Sequence, residues 1–480
     1  MQPFDVGRPE AGLRKTWRAT FASVSEMSRI TAKLLLATFL FLSSSILVRS
    51  AQEPSGADDL LTLDQAVKLA VDNNRPLRFS FLQIQKSRES VAETRTQQFP
   101  VFKTYLFASE LLTPLDFTFS KGVLGSFPAT GPIPATDTQI SSPRRPFVFT
   151  LDEVSQPISQ LYKIRLAIHA QELAVDYSDQ EYRVQREQLV RDVKQAYYAV
   201  LQAESALTYT QTSVNSYLEL SRFTDDQLAQ KAVLKSASLE VKARLAKEQY
   251  NLIELSNTLA SRKEQLNHLL GRDIRTSFHT QPVPEPSAFE TDLKAAQDRA
   301  LSSRPELREA QINADRAEFD RRLAKAQYIP DFGVALHYIS PFNVNFVPQN
   351  ITAFGFEFNW EPFDWGRKRH EVEQKKLTVD QMRLQVNETQ SKILLDLNAR
   401  FRDLQQARSL VSVAAAGLDA EKEKLRELTD EFRQQSVLLK DVLQQQAVAA
   451  GSEDEYQQAL LSFWDKRAEF EKAVGEDGTP

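Results

Sequence analysis

The chain has 480 residues, 26% of them charged, with a formal net charge of −5 and a mean hydropathy of −0.40. The absence of cysteine excludes thiolate metal sites, disulfides and a lipid anchor on an N-terminal cysteine. Only 14 glycines favour long uninterrupted helices over a loop-rich α/β fold. The histidines (His169, His268, His279, His337, His370) stand at no metal-ligand spacing, and no phosphate loop, dinucleotide fingerprint or nucleophile elbow occurs, so the sequence points to no catalytic residue, no cofactor and no enzyme.

Residues 1–51 read as an N-terminal extension and signal peptide. Arg29 and Lys33 precede an apolar run, Leu34 to Val48, too short for a membrane-spanning helix but long enough for a signal-peptide core. Val48 and Ser50 suit a cut near Ala51, and Met27 is a possible true start. Cleavage there removes seven basic and three acidic residues from totals of 59 and 64, leaving a net charge of −9. No basic stripe points to nucleic acid. The mature chain is expected to be exported.

The remainder states one plan twice. "LTLDQAVKLAVDNNRPLR" (61–78) reads as a short amphipathic helix, an Asn-rich stop and a Pro-initiated helix, and "DLKAAQDRALSSRPELR" (292–308) repeats it. Both second helices run into a proline, in "QFPVF" (98–102) and "YIPDF" (328–332), because Pro removes a backbone donor and pushes its predecessor toward extended geometry. Each time a strand, a polar loop, a second strand and a very long helix are predicted. The first repeat, 60–281, has strands at about 100–109 and 147–156 and helices at about 158–232 and 237–271. A Pro-containing linker (282–291) leads to the second repeat, 292–475, with strands at about 331–340 and 352–361, helices at about 366–435 and 438–474, and a tail at 476–480. From Asp192–Gly271 to Asp396–Gly475 an offset of 204 holds without a gap. A helix of about 70 residues is ~105 Å long, too long for a compact domain, so these helices are expected to pack along one another as a coiled-coil wall.

The strands alternate. In "TAFGFEFNWEPFDWGR" (352–367), Phe354, Phe356, Phe358 and Trp360 oppose Gly355, Glu357 and Asn359. Phe332, Val334 and Leu336, and likewise Phe147, Phe149 and Leu151, form the apolar sides of two others. A soluble sandwich with one buried face gives the same alternation. Ten residues is also what a tilted strand needs to cross a bilayer, with apolar side chains outward, and the signal peptide favours that reading. All ten named residues are then expected to face lipid. Four strands cannot close a barrel and hydrocarbon tolerates no open edge, so copies must share one barrel.

The mature chain, from about 60 to 475, resembles the TolC-like outer-membrane efflux proteins. The resemblance rests on "EPFDWGRKR" (361–369), which matches that family's strand-to-helix turn at Pro362, Phe363, Asp364 and Gly366, and on "SSRPELREAQ" (302–311) and "YIPDFGVAL" (328–336). It implies a mainly α fold with a small β part: a homotrimer sharing a twelve-stranded outer-membrane barrel above a periplasmic helical tunnel. It further implies a passive exit duct for tripartite efflux or type I secretion, coupled to an inner-membrane pump through a periplasmic adaptor. The competing readings are an exported coiled-coil scaffold or adhesin, and a periplasmic adaptor without channel activity.

The resemblance also implies sites. The adaptor would dock at the helix-hairpin tips, around Lys231, Val233 and Leu234 and around Gln435, Val437, Leu438 and Leu439. The tunnel would narrow at Asp441, Gln444 and Phe432. This chain departs from the family there: Gln435 and Lys231 stand where a tip glycine is usual, Gln444 replaces a second acidic residue, and Phe432 replaces a tyrosine. Two basic clusters, Arg144-Arg145 and Arg367-Lys368-Arg369, read either as ordinary solvated surface or as anchors at the outer-leaflet sugar phosphates and the inner-leaflet headgroups respectively.

Overall fold

The computed structural model describes residues 60–110, 112–142, 146–231, 233–286, 292–342, 348–434 and 436–476, without the side chains at 115, 142, 146 and 147. After a short strand β1 (Leu60–Leu61) come helices α1 (Leu63–Asn73) and α2 (Arg75–Thr96). Thr62 starts α1 through a capping box: its Oγ1 accepts the Gln65 N–H at 3.2 Å while Gln65 Oε1 accepts the Thr62 N–H at 2.9 Å. Asn74 then ends α1 and begins α2, its Oδ1 accepting the Leu77 N–H at 3.0 Å, with Pro76 in the first turn where its missing donor costs nothing. The same device recurs in α5 (Leu293–Ser303) and α6 (Pro305–Ala326), where Asp292 caps the first helix and Pro305 opens the second.

Strand β2 (Val101–Glu110) follows the first helix pair. A long excursion carries the short strands β3 (Leu115–Phe119), β4 (Ser126–Phe127), β5 (Gly131–Pro132) and β6 (Thr138–Ser142), and β7 (Pro146–Pro157) returns beside β2. In the second half β9 (Asp331–Phe342) and β10 (Ile351–Asn359) follow α6; β8 (His279–Thr280) is a short pairing with β1. Four strands form one antiparallel sheet in the order β10-β9-β7-β2, so β10 and β2 are its free edges. The two small ladders, β3 with β6 and β4 with β5, extend the β2–β7 hairpin away from the sheet's helical end.

The long helices are α3 (Gln160–Ala229, 70 residues) and α7 (Arg367–Arg433, 67 residues), returning through α4 (Lys235–Leu269) and α8 (Leu439–Val474). Two cores hold the layer together where the short helix pairs cross them. In one, Ala66, Val67, Ala70 and Leu77 pack on Leu189, Val193 and Val200 of α3. In the other, Ala296, Ala300 and Leu307 pack on Ile393, Leu397 and Leu404 of α7, which are the same positions shifted by 204. Equivalent glycines close each return helix. Gly271 and Gly475 have φ of +70° and +81°, and a Cβ would stand 2.4 Å from Asn73 O in the first and 2.6 Å from Ser303 Oγ in the second. No larger residue fits that approach of helix end to short-helix end.

Tyr197 ties the first core to the chain's connections. Its ring is fully buried, and its hydroxyl lies 2.8 Å from Leu61 O, 2.9 Å from Gln281 O and accepts the Gln281 N–H at 2.9 Å. Burial pushes that phenol up to about 12. Between the halves, Lys194 on α3 pairs with Glu471 on α8 at 2.8 Å, both mostly buried.

Candidate functional site: the sheet faces and the hairpin tips

Pairing across the sheet is one-to-one, so register assigns each side chain to a face. On one face Phe358 pairs with Phe332, Phe356 with Val334, and Phe354 with Leu336, which continues through Val154 to Phe102. The aromatic rings touch: Phe332 and Phe356 stack at 5.8 Å, and Phe354 meets Phe356 edge-on at 5.6 Å. Phe354, Phe356 and Phe358 are 67%, 69% and 64% exposed, a wall that a water-facing sheet does not carry. Trp360, one residue past β10, is exposed beside it. The opposite face holds Glu357 with Gly333, then Gly355, Ala335 and Ser155, then Lys103, Glu153, His337 and Ala353. On β9 the first face is the convex one: Phe332, Leu336, Tyr338 and Phe342 are exposed while Ala335 and Pro341 of the second face are buried.

This register corrects the expected facing of β7. Phe149 pairs with Phe107 and Leu151 with Tyr105, on the face of Lys103, Glu153 and Glu357, not on that of Phe354; position 147 has the same parity. Alternation in β7 reveals two faces but does not say which is outward, and only pairing with β9 and β2 resolves it.

The turn from β10 into α7 is built by Asp364. Its carboxylate accepts the Gly366 N–H at 3.1 Å and the Lys368 N–H at 2.9 Å, and these bonds, Lys368 first, hold it below the usual carboxylate range. Trp365 (φ +55°) and Gly366 (φ +88°) both take the left-handed conformation that this turn demands. The turn leaves Phe363 and Trp365 outside, edge-to-face at 4.8 Å, with Trp365 88% exposed. Pro362 is also exposed. The basic residues that follow do not form a free cationic patch. Lys368 is buried, donating to Glu361 O at 2.9 Å, and Arg367 pairs with Glu361 at 2.7 Å, so both stitch the turn; Arg369 alone of the three is exposed without that role. Arg144 and Arg145 lie outside the described residues.

At the far ends of the long helices the chain reverses in two matching tips. Lys231 takes φ +58°, so the first tip makes its left-handed turn without glycine. Leu234 and Leu438 occupy equivalent positions just before α4 and α8 and are 76% and 62% exposed, while Val233, Val437 and Leu439 are half-buried. Gln435 lies outside the described residues. In the second tip Asp441 Oδ2 accepts the Leu438 N–H at 3.3 Å, capping α8, and Phe432 and Gln444 are exposed nearby in sequence. In the first tip Ser238 Oγ and Lys242 both bind Asp225, at 2.7 and 2.9 Å. Beside the two cores a groove of about 1160 Å³ opens among α3, α4, α7 and α8, lined by polar groups such as Gln195, Gln202 and Arg262 and by apolar ones such as Tyr198, Leu410 and Leu461. Among the described residues no helix is long and apolar enough to cross a membrane, and no group of acidic or histidine side chains could hold a metal ion.

A sheet with an aromatic convex face, mounted on paired helices about 100 Å long, defines a TolC-like channel protomer. The chain belongs to the outer membrane efflux protein family, whose model matches residues 66–272 and 296–476. Solved channels share the fold. The CmeC outer membrane channel of Campylobacter jejuni aligns with a TM-score of 0.71 at 15% identity over 87% of this chain and 86% of that one. CusC aligns at 0.68 and 14% over 86% and 92%, and a Pseudomonas aeruginosa membrane protein at 0.69 and 16% over 86% and 93%. No curated protein sequence is similar enough to match.

Proposed function

We propose that this chain is the outer-membrane exit duct of a tripartite efflux or type I secretion system, a homotrimer acting as a passive conduit. The free edges of the four-stranded sheet, at β2 and β10, carry this reading. In hydrocarbon each unpaired backbone group costs several kcal/mol, and one protomer cannot close its own sheet. Three copies joined β10 to β2 give twelve strands and remove every edge. The convex wall of Phe102, Phe332, Val334, Leu336, Phe354, Phe356 and Phe358 then meets lipid, and Phe363, Trp365 and Trp360 form the aromatic belt at the periplasmic boundary. The long helices stand in the periplasm, and the exposed leucines at the tips are the contact for a periplasmic adaptor that links the duct to an inner-membrane pump.

Asp441, repeated by symmetry, sets a ring of negative charge where the tunnel narrows, with Phe432 and Gln444 beside it. Purified protein, extracted from outer membranes and inserted in planar bilayers, should run as a trimer by light scattering and carry discrete ionic current. A monodisperse monomer that carries no current would overturn the proposal.

A further inference from the structure

The duplicated plan calls for one helix junction twice, and the chain completes it once. Inside the chain, α3 of the first repeat is covered by α6 and α8 of the second. His169 and Phe319 have ring centroids 5.8 Å apart, and Glu309 faces Tyr177 and Glu181. Further along, Lys472 donates to Gln188, Asp465 stands beside Arg191, and Lys194 pairs with Glu471 at 2.8 Å. An offset of 204 carries α3 onto α7 and α4 onto α8, and an offset of 230 carries α2 onto α6. The same offsets relate Gly271 to Gly475 and Asn73 to Ser303, which meet alike at the helix ends. Among the described residues nothing covers the second junction. Positions 173, 177, 180, 184, 187 and 191 of α3 are all buried or half-buried, and their counterparts 377, 381, 384, 388, 391 and 395 of α7 are all exposed. The other side repeats the contrast: Glu309, Ile312, Asp465 and Ala468 are covered, and Phe79, Leu82, Ser261 and Glu264 are exposed.

The two uncovered faces continue the two free edges of the sheet. Strand β10 leads through the Asp364 turn into α7, and α2 leads into β2. Their chemistry differs from that of the covered junction. Where the latter carries Glu181, Arg191, Glu309 and Asp465, the former carries Gln385, Leu395, Phe79 and Ser261. Leu377, Leu384 and Leu395 form an exposed apolar stripe along α7, and Phe79 and Leu82 an exposed apolar pair on α2. The stripe ends toward the sheet, because His169 and Phe319 map to Glu373 and Glu89, two carboxylates. Resting on the channel reading, we infer that a second copy of this chain covers the α7 stripe with its α2 and α4, in the register that α6 and α8 take on α3. Phe79 of one copy then lies over the partner subunit's Gln381 and Gln385, beside the partner subunit's Leu384, and Ser261 lies over the partner subunit's Leu395. Removing Phe79 and the leucines from water favours this contact. Around the helical tunnel, charged junctions within chains then alternate with apolar junctions between them.

Because the chain has no cysteine, single introduced cysteines report this seam directly. Two differently tagged full-length chains, one Phe79→Cys and the other Gln381→Cys, are produced together, extracted from outer membranes and treated with a short bismaleimide. Ser261→Cys with Leu395→Cys forms a second, independent pair. Each pair should give a covalent product that carries both tags, which only a link between two copies can produce. Phe79→Cys with Gln390→Cys is the control, since Gln390 is exposed on α7 but off the stripe; its yield should be several-fold lower. Protein that runs as a trimer by light scattering yet links neither pair, or links the control equally well, overturns the seam and leaves the channel reading standing. A monodisperse monomer overturns both.

Discussion

At the scale of single residues, Tyr197 and Glu309 lend themselves to measurement. Tyr197 stitches β1, the segment after β8 and α3 through one hydroxyl, in a site from which water is excluded. Tyr197→Phe keeps the ring but removes the buried hydroxyl that sits between Leu61 O and Gln281 O, so it should cost about 1–3 kcal/mol, read as a lower midpoint in chemical unfolding of the detergent-solubilised protein. Glu309, on α6, is pushed up to about 7 by burial and by the neighbouring carboxylates of Glu306 and Glu181. Its folded value exceeds the ordinary 4.5, so the unfolded chain binds fewer protons than the folded one between those two values. Stability therefore falls as pH rises from about 4.5 to about 7 and stays lower above. Glu309→Gln should raise the thermal midpoint at pH 8, leave it nearly unchanged at pH 4.5, and so flatten the pH profile; parallel profiles for variant and wild type would count against this assignment.

At the scale of elements, the strands show how far periodicity reaches. Period-two alternation identifies a strand with two unlike faces, and in β10 it also identifies the apolar one, because three phenylalanines oppose two glycine-sized or polar positions and a glutamate. In β7 the same reasoning selects Phe149 and Leu151, and the register places them on the concave side with Glu153. The facing of β10 can be tested by charge. An Arg on the lipid side near mid-bilayer costs roughly 2–4 kcal/mol, so Phe356→Arg should reduce the amount of assembled protein in outer-membrane fractions. Glu357→Arg, one residue away on the concave side, should assemble at wild-type level. Equal yields from the two would reject this orientation of the sheet. The turn after β10 teaches a related lesson. "PFDWGRKR" is legible as a turn, but its basic residues look like a surface cluster until the fold brings Glu361 back over Lys368.

At the scale of the whole molecule, function depends on a symmetry that one chain only implies. The tip of the second hairpin is the clearest case. Asp441 caps α8 by accepting the Leu438 N–H, and in a trimer the same carboxylate would recur around the tunnel axis. Asp441→Asn separates the two roles, since an amide oxygen can still accept that bond while the charge is gone. Cation preference in planar bilayers should fall, with thermal stability almost unchanged. Identical ion selectivity in wild type and variant would remove Asp441 from the constriction. With Gln444 in place of a second acid, the ring is expected to be single and its cation preference moderate.

What the sequence by itself determined were the features encoded locally. The Asn-rich stop before α2, the prolines at the first turns of α2 and α6 and those that end them depend on neighbours within a few residues, so they are legible without a structure. The family resemblance is equally local, carried by one turn and two short segments. Only the tertiary structure decided what depends on pairing over long separations. It set that Phe149 and Leu151 of β7 share the face of Glu153 and Glu357, not that of Phe354. It also showed that Lys231 makes a left-handed turn without glycine, and that Gly271 and Gly475 are confined by Asn73 and Ser303. Each of these is a steric or register condition between segments far apart in the chain, and no periodicity within one segment contains it.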